Sequence, residues 1–421
     1  MYTTLLFACS VEQECADLEV ALLVKVAELP AVVASPLCLS PRKAKKVFTE
    51  NTSRLKAIKG LKWTKYPDDV LPAFVADMDF ESPIAVTNAL EEMVRSRDYG
   101  YRFNDIDQLI SLWVEWVRGQ HGLEIAEDEC IVFTSSIQAL EVAMMMHTGP
   151  GDGVALFSPV YHPFASAVEE AGRRLVDIPL RETDWKIDID RFRDSIDERT
   201  RIVLFCQPHN PTGHIFTPEE LNDFSQVVVE KDLLVISDEI WADLTLGVKP
   251  HYPLVDSGDD LRVRTITIGS ASKTFNLAGA RCSIAHIGHP KILERIHSLP
   301  IHFLGQPSSF GAAATAAAWK SGHAWLEETK ETIRANSVYV YDQFLNSNVE
   351  MCKPEATYLA WLNFSKTSIS ENPAKHLLRA GKVALEPGSK FGRQSSSYAR
   401  LNFATDPEIL EEIVKRVIKQ I

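Results

Sequence analysis

Hydrophobic residues follow two different periods along this chain of 421 residues. Short apolar and β-branched runs, such as "CIVF" (130–133) and "LLVIS" (233–237), have the length and composition of buried strands. A helical pattern follows several of them, as "SIQALEVAMMMHTG" does after the first. Further runs of this kind are "GVALF", "RIVLF", "TITIG" and "CSIAHIG". Strands that alternate with helices predict an α/β fold with a mostly parallel sheet covered on both faces.

The pattern of apolar and polar residues changes along the chain and predicts its domains. Residues 1–47 combine a short helical pattern with a Pro-punctuated tail, which fits an appended arm, a poorly ordered leader or an upstream extension of the reading frame. The alternating strands and helices indicate a large domain over 99–320. After it, a long polar helix and two short strands predict a smaller α+β domain over 321–421, with which we expect 48–98 to pack.

Charge and cysteine content exclude several classes of function. The net charge of −13 argues against nucleic acid or an anionic membrane as a partner, because both are polyanions. The seven cysteines are scattered without a C-x-x-C pair, which predicts reduced thiols rather than disulfides or a metal site. No apolar run has transmembrane length and no leader composition is visible, so we expect a soluble, cytoplasmic protein.

The ends of the predicted strands carry the candidate chemistry, because ligands of open α/β sheets bind at the carboxyl ends of strands. After "CIVF", the residues Thr134 to Ser136 open a helix. The free N–H groups there, at Ser136 and Ile137, suit an anion, although a serine N-cap explains the same pattern. After "GVALF", Tyr161 follows a proline turn and could stack on a planar ligand or simply pack.

The next three strands end in polar side chains. Asn210 lies in the turn "HNPTG", and Asp238 ends the apolar run "LLVIS", where an acid is costly to bury without a cationic partner. After "TITIG" come Ser270 and Lys273, with Arg281 shortly afterwards. Each of these residues alone could be a turn, a cap or a surface charge.

One ligand accounts for the whole set, namely pyridoxal 5′-phosphate (PLP). It has a phosphate for the hydroxyls and the arginine, and an aromatic ring for the tyrosine. It also has a ring oxygen for the asparagine, a protonated ring nitrogen for the aspartate and an aldehyde for the lysine. The inference depends on the combination of residues, not on any single one.

The motifs "SPVY", "HNPTG", "SDEIW", "SASKTFNLAGAR" and "YARLNFA" resemble, in this order, those of the fold-type I PLP enzymes of the class I/II aminotransferase family. The resemblance runs from about residue 48 to the C-terminus and implies a seven-stranded, mostly parallel sheet in a large PLP-binding domain. It makes Lys273 the Schiff-base lysine, Asp238 the partner of the pyridine nitrogen and Arg400 the holder of the substrate α-carboxylate.

A narrower resemblance lies upstream, where "LKWTKYPDDVLPAFVADMDF" and "YGYRF" look like the opening of the MalY/PatB branch of cystathionine β-lyase-like C–S lyases. It implies that Tyr101 reaches the phosphate of a neighbouring subunit in a homodimer with shared active sites. Asp77, within "VADMDF", is a candidate for the substrate side. Trp241 stands where this family usually has Tyr or His, and its indole can only donate a hydrogen bond.

The resemblance implies a C–S β-lyase that splits L-cystathionine, or a related cysteine S-conjugate, into thiol, pyruvate and ammonia. The alternative is an aminotransferase, because the lysine and the aspartate serve both reactions and Arg281 gives the phosphate site an aminotransferase-like character. A lyase for a bulky cysteine conjugate also remains open, since Trp241 could reshape the pocket. A catalytically silent regulator is disfavoured, because every expected catalytic position is filled.

Overall fold

Two β-sheets organise the part of the chain that the computed structural model describes, which is residues 52–100, 104–247 and 249–421. All of these residues belong to one compact unit. The strands are β1 (Leu71–Ala73), β2 (Cys130–Phe133), β3 (Gly153–Ser158), β4 (Arg174–Pro179), β5 (Thr200–Cys206), β6 (Leu234–Asp238), β7 (Thr265–Gly269), β8 (Ser283–Ile287), β9 (Leu359–Asn363), β10 (Val383–Pro387) and β11 (Tyr398–Asn402).

Helices connect and cover these strands. They are α1 (Leu61–Thr64), α2 (Ile84–Ser96), α3 (Asn104–His121), α4 (Ser136–His147), α5 (Pro163–Glu170), α6 (Ile189–Ser195), α7 (Pro218–Glu230), α8 (Asp259–Arg262), α9 (Ala271–Thr274), α10 (Pro290–His297), α11 (Ile301–Leu304), α12 (Ser309–Ser321), α13 (His323–Phe344), α14 (Pro373–His376) and α15 (Pro407–Ile418). None of them is long and apolar enough to cross a membrane.

The larger sheet is buried on both faces. Successive side chains of each strand point to opposite sides of the sheet. In β5, Ile202 and Leu204 join one hydrophobic cluster, whereas Val203 and Phe205 join another. On the second face Phe205 stacks on Phe224 of α7 with ring centroids 4.7 Å apart. Two-sided burial explains why these strands read as continuous apolar runs.

The order of the larger sheet is β2-β8-β7-β6-β5-β3-β4. The strands from β7 to β4 pair in parallel, while β8 is antiparallel to both β7 and β2. It follows that β2 runs in the same direction as β7. The carboxyl ends of β2, β3, β5, β6 and β7 therefore lie at one edge, where β8 begins.

The smaller sheet has the order β1-β10-β11-β9. Its first strand comes from early in the chain and pairs in parallel with β10, Leu71 opposite Val383. Arg400 lies in β11 between Glu386 of β10 and Trp361 of β9. The N-terminal part of the described chain is thereby joined to β10, the neighbour of the strand that carries this arginine.

The prediction of an α/β fold with a mostly parallel seven-stranded sheet and a smaller sheet is confirmed. Three strands were missed. β1 is only three residues long and contains Pro72, so its sequence "LPA" has no pattern typical of a strand. β4 is an edge strand whose partly exposed sequence "RLVDIP" carries Arg174 and Asp177, so it lacks the apolar run of a central strand. β10 carries Glu386 inside a short run. The predictions made for residues 1–47 lie outside the described residues.

Candidate active site

Lys273 lies in the first turn after β7. Ser270 caps the short helix α9, since its hydroxyl accepts from the N–H of Ser272 at 3.1 Å. The Lys273 Nζ donates to the carbonyl oxygen of Ala76 at 2.9 Å. Burial lowers the pKa of this lysine, although Asp77 and Asp238 act in the opposite direction. An amine with a lowered pKa is a better nucleophile and proton acceptor near neutral pH.

Asp238 ends β6 and is 4% exposed. Its carboxylate accepts from the N–H of Ile240 at 3.2 Å. Burial raises the pKa of Asp238 to about 7, while the Ile240 N–H and the charge of Lys273 act against this rise. A buried carboxylate with so little compensation is stabilised by a cationic or hydrogen-donating group placed against it.

Arg400 and Asn210, which are far apart in the sequence, are in contact. One guanidinium nitrogen of Arg400, Nη1, donates to Asn210 Oδ1 at 2.9 Å, and Nη2 donates to the carbonyl of Phe74 at 3.0 Å. The guanidinium also lies over the ring of Phe391, with Cζ 4.9 Å from its centroid. The buried Nε has no hydrogen-bond partner among the described residues. Burial lowers the pKa of Arg400, so the site favours an anion that faces it.

Two aromatic side chains border this region. Tyr161 follows β3 and is half-buried, and burial raises its pKa, with Arg400 opposing and Asp238 reinforcing the rise. Trp241 is fully buried and packs edge-on against Tyr358 with centroids 4.8 Å apart. The Lys273 Nζ lies 5.9 Å from the centre of the Trp241 ring. Lys273 is therefore close to an aromatic face as well as to carboxylates.

The helix start after β2 shows which serine is the N-cap. Ser135 is the N-cap of α4, because its side chain accepts from the N–H of Gln138 at 3.2 Å. The hydroxyl of Ser136 is therefore not needed as the cap. The N–H groups of Ser136 and Ile137 lie in the first turn, where an α-helix offers no intrahelical acceptor. This helix start remains available to an anion.

Ser270 and Arg281 lie near the same edge of the sheet. Ser270 donates its hydroxyl to the carbonyl of Cys282 at 2.7 Å, which joins the start of α9 to the start of β8. Arg281 adopts a left-handed backbone conformation with φ of 53° just before β8. Its exposed side chain has no hydrogen-bond or ion-pair partner in the described part of the chain.

The chemistry of these residues fits the groups of PLP. The undercompensated carboxylate of Asp238 suits a protonated ring nitrogen, and the Lys273 amine suits an aldehyde. The helix start at Ser136, together with Arg281, supplies donors for a phosphate. Tyr101, the residue expected to reach across a subunit interface, lies outside the described residues.

Several residues beside Lys273 were missed from the sequence. The Ala76 carbonyl accepts from the hydroxyl of Tyr358 at 2.9 Å as well as from Lys273. The hydroxyl of Thr274 donates to the half-buried Asp243 at 2.7 Å. A backbone carbonyl carries no side-chain signal, so the sequence offered nothing to find Ala76. Asp243, five residues after the end of β6, could have been noticed as a further acid in the same turn.

Known proteins resemble this chain over most of its length. The family model for "Aminotransferase class I and II" matches residues 75–417. The cystathionine beta-lyase PatB of Bacillus subtilis is 33% identical over 385 residues, which cover 88% of this chain and 98% of the relative. Protein MalY of Escherichia coli is 28% identical, with coverage of 84% and 92%. The PLP-bound C–S lyase of Staphylococcus hominis superposes with a TM-score of 0.79 at 26% identity, covering 86% of this chain and 95% of that one. The predicted resemblance is confirmed.

Proposed function

Because this chain belongs to the aminotransferase class I and II family, we propose that it is a C–S β-lyase acting on L-cystathionine or a related cysteine S-conjugate. The products would be a thiol, pyruvate and ammonia. That the chain is a PLP-dependent enzyme follows from its family and relatives. The observation that supports the lyase reaction is the contact between Lys273 and Ala76. Ala76 belongs to "VADMDF", the motif of the lyase branch, and its contact with the amine proposed to react supports a role for this motif in the reaction.

The chemistry divides among a few side chains. PLP supplies an electron sink that stabilises negative charge at the substrate Cα. Lys273 Nζ, once it is a free amine, takes the proton from Cα as a general base. Arg400 binds the substrate α-carboxylate with two N–H groups, which fixes the direction of the Cα–H bond. Asp238 would accept a hydrogen bond from the ring nitrogen and hold its proton in place.

We propose that the remaining predicted residues hold the cofactor. The hydroxyl and N–H of Ser136, the N–H of Ile137 and the side chain of Arg281 would bind the phosphate. Ser270 would donate to the same group by turning its single O–H from the Cys282 carbonyl to a phosphate oxygen. The ring of Tyr161 would stack on the pyridine, and Trp241 would border the cofactor beside Lys273. Asn210 would donate from its amide nitrogen to the ring oxygen, because its Oδ1 already accepts from Arg400.

The first experiment distinguishes the lyase from the aminotransferase. PLP-loaded protein is incubated with L-cystathionine alone, and then with a 2-oxo acid added, while pyruvate, ammonia and thiol are measured. We expect pyruvate and thiol to form without the 2-oxo acid, because β-elimination needs no amino acceptor. Turnover that requires the acceptor, with a new amino acid as product, would establish the aminotransferase instead. Absence of turnover in both reactions would point to a bulkier cysteine conjugate.

Asp77 is proposed as a selector for the distal end of the substrate. Its carboxylate is half-buried and has no hydrogen-bond or ion-pair partner among the described residues. It follows Ala76, whose carbonyl contacts Lys273, and its charge acts on Lys273 and on the buried Tyr358. L-cystathionine carries a second ammonium group at its far end, which an unpaired carboxylate would bind.

The variant Asp77→Asn tests this selection. We expect kcat/KM for L-cystathionine to fall about tenfold to a hundredfold, because one charge-assisted hydrogen bond contributes roughly 1.5–3 kcal/mol. The value for S-methyl-L-cysteine, which has no distal ammonium, should change little. Steady-state kinetics with both substrates give the ratio directly. An equal loss with both substrates would show that Asp77 acts on Lys273 and not on the distal end.

We also propose a homodimer. Large apolar side chains are exposed along and after α2, with Ile84 71%, Val94 55% and Tyr99 60% exposed. Tyr99 stacks on Phe310 of α12 at 6.0 Å, so the exposed surface continues onto a second helix. Contiguous exposed apolar surface is typical of an interface, and we expect a second copy of the chain to cover it. The proposed domains remain 48–98 with 321–421 as the smaller one and 99–320 as the larger.

A further inference from the structure

Residues 74–80, here called the wall segment, present their backbone carbonyls to side chains instead of to another strand. The carbonyl of Phe74 accepts from Arg400 and that of Ala76 from Lys273. Thus two of the cations expected at the active site are bonded to this one segment. The other donors to carbonyls of the wall segment are Asn402 on Val75 and Asp77, Tyr358 on Ala76, Lys62 on Asp77, Arg54 on Asp79, and Asn276 on Met78 and Phe80.

A buried ion pair holds the far end of the wall segment. Lys62 Nζ lies 3.0 Å from Asp79 Oδ2, and the two side chains are only 4% and 2% exposed. The indole N–H of Trp63 donates to the other oxygen of Asp79 at 2.7 Å. Lys62 also donates to the carbonyl of Asp77 at 3.0 Å. We call Lys62, Trp63 and Asp79 the Asp79 clamp.

The clamp is better explained by positioning than by stability. Removing two charges from water costs several kcal/mol per ion, which a single ion pair often fails to recover, so a buried pair is weak evidence for a stabilising role. Its effect on geometry is direct. The clamp fixes the backbone at Asp77 and Asp79, and the carbonyl directly before that of Asp77 is the Ala76 carbonyl that meets Lys273.

We propose that the Asp79 clamp positions Lys273, by holding the Ala76 carbonyl where it accepts a hydrogen bond from the free lysine amine. The inference rests on the proposed role of Lys273 as the covalent and proton-transferring group. Lys62, Trp63 and Asp79 are then positioning residues, since none of them contacts Lys273. The sequence "KWTKY" and the sequence "VADMDF" would thus form one functional unit.

The hydrogen bond from Lys273 to Ala76 favours the ammonium form, because a carbonyl oxygen stabilises the charged donor. The charged and titratable groups that act on this ammonium are Asp77, Asp238 and Arg400, while Tyr358 donates to the same carbonyl. Loosening the clamp moves the Ala76 carbonyl away from Lys273, whereas the lysine stays buried. The amine should then lose its proton at lower pH.

The variant Trp63→Phe tests the proposal, since it removes one N–H from Asp79 and keeps an aromatic ring. The rate at which cofactor-free protein attaches PLP is measured by absorbance at a series of pH values. The midpoint, which is the pH at which this rate reaches half of its maximum, should fall by about half a pH unit, as expected when a hydrogen bond of roughly 0.5–1.5 kcal/mol is weakened. We also expect kcat to fall about threefold to tenfold with KM little changed, because the amine acts in the chemical step.

Trp325→Phe is the matched control. It removes an indole N–H that donates to the carbonyl of Glu81 at 3.0 Å, just beyond the wall segment. Its midpoint and kcat should equal those of the unaltered protein. Tyr358→Phe is the complementary variant, because among the described residues it leaves Lys273 as the only donor to the Ala76 carbonyl, which should move the midpoint upward.

A midpoint that stays unchanged in Trp63→Phe would overturn the proposal and, with a lower melting temperature, would assign the clamp a purely structural role. An unchanged midpoint in Tyr358→Phe would show that the Ala76 carbonyl does not set the state of the amine. Should Trp63→Phe fail to fold, Asp79→Asn, which removes the charge of the clamp, should lower the midpoint in its place. Failure of the unaltered protein to attach PLP would instead overturn the proposed function.

Discussion

Replacement of Lys273 by alanine is expected to abolish turnover and covalent attachment of PLP together. In the proposed mechanism the Lys273 amine both bonds to the cofactor aldehyde and takes a proton from the substrate. Loss of a general base alone typically costs about 10²–10⁴ in rate, and loss of the covalent link adds to this. We therefore expect kcat to fall by at least about 10³. Absorbance of the cofactor and steady-state rates measure the two effects.

Lys366→Ala is a suitable control for this variant, because Lys366 is an exposed lysine paired with Glu350 at the surface. It should keep the absorbance and the rate of the unaltered enzyme. A Lys273→Ala protein that retained both properties would show that another amine carries the reaction. The assignment of the site would then be wrong.

Asp238→Asn is expected to lower the activity and to raise the stability of the protein. In the cofactor-free protein the pKa of Asp238 is raised from 3.8 to about 7, so between these values the folded chain binds a proton that the unfolded chain does not. Stability therefore falls as pH rises from about 4 to 7, and above 7 the full cost of the buried charge remains. Asparagine has no charge to bury, but it cannot keep the cofactor ring nitrogen protonated.

Thermal melts of the cofactor-free protein at pH 5 and pH 8 test the stability part. Asp238→Asn should raise the melting temperature by a few degrees at pH 8 and by less at pH 5. With PLP bound, its kcat should be reduced by about 10² or more, because the sink is weaker. The surface variant Asp342→Asn should change neither quantity. An equal effect of Asp238→Asn at both pH values would mean that the carboxylate is not the destabilising group.

The sequence by itself determined the frame of this protein. Buried parallel strands require apolar side chains on both faces, so β2, β3, β5, β6 and β7 were visible as apolar runs. Because such strands all end at one edge, the polar residues after them could be predicted to share a site. For this reason the sequence alone predicted Asp238 and Lys273 as residues of the site. The edge strand β4 was not found, since a half-exposed strand lacks that signal.

Only the tertiary structure decided which groups are in contact. Arg400 meets Asn210, and Lys273 meets Ala76, across separations of 190 and 197 residues. The second contact uses a backbone carbonyl, which every residue has and which no sequence pattern distinguishes. The pairing of Lys62 with Asp79 was equally hidden, because a lysine and an aspartate in separate motifs are ordinary surface residues until the fold excludes water from both. Local physics determines which segments form helices and strands. Contacts between distant segments depend on how the packed elements bring them together.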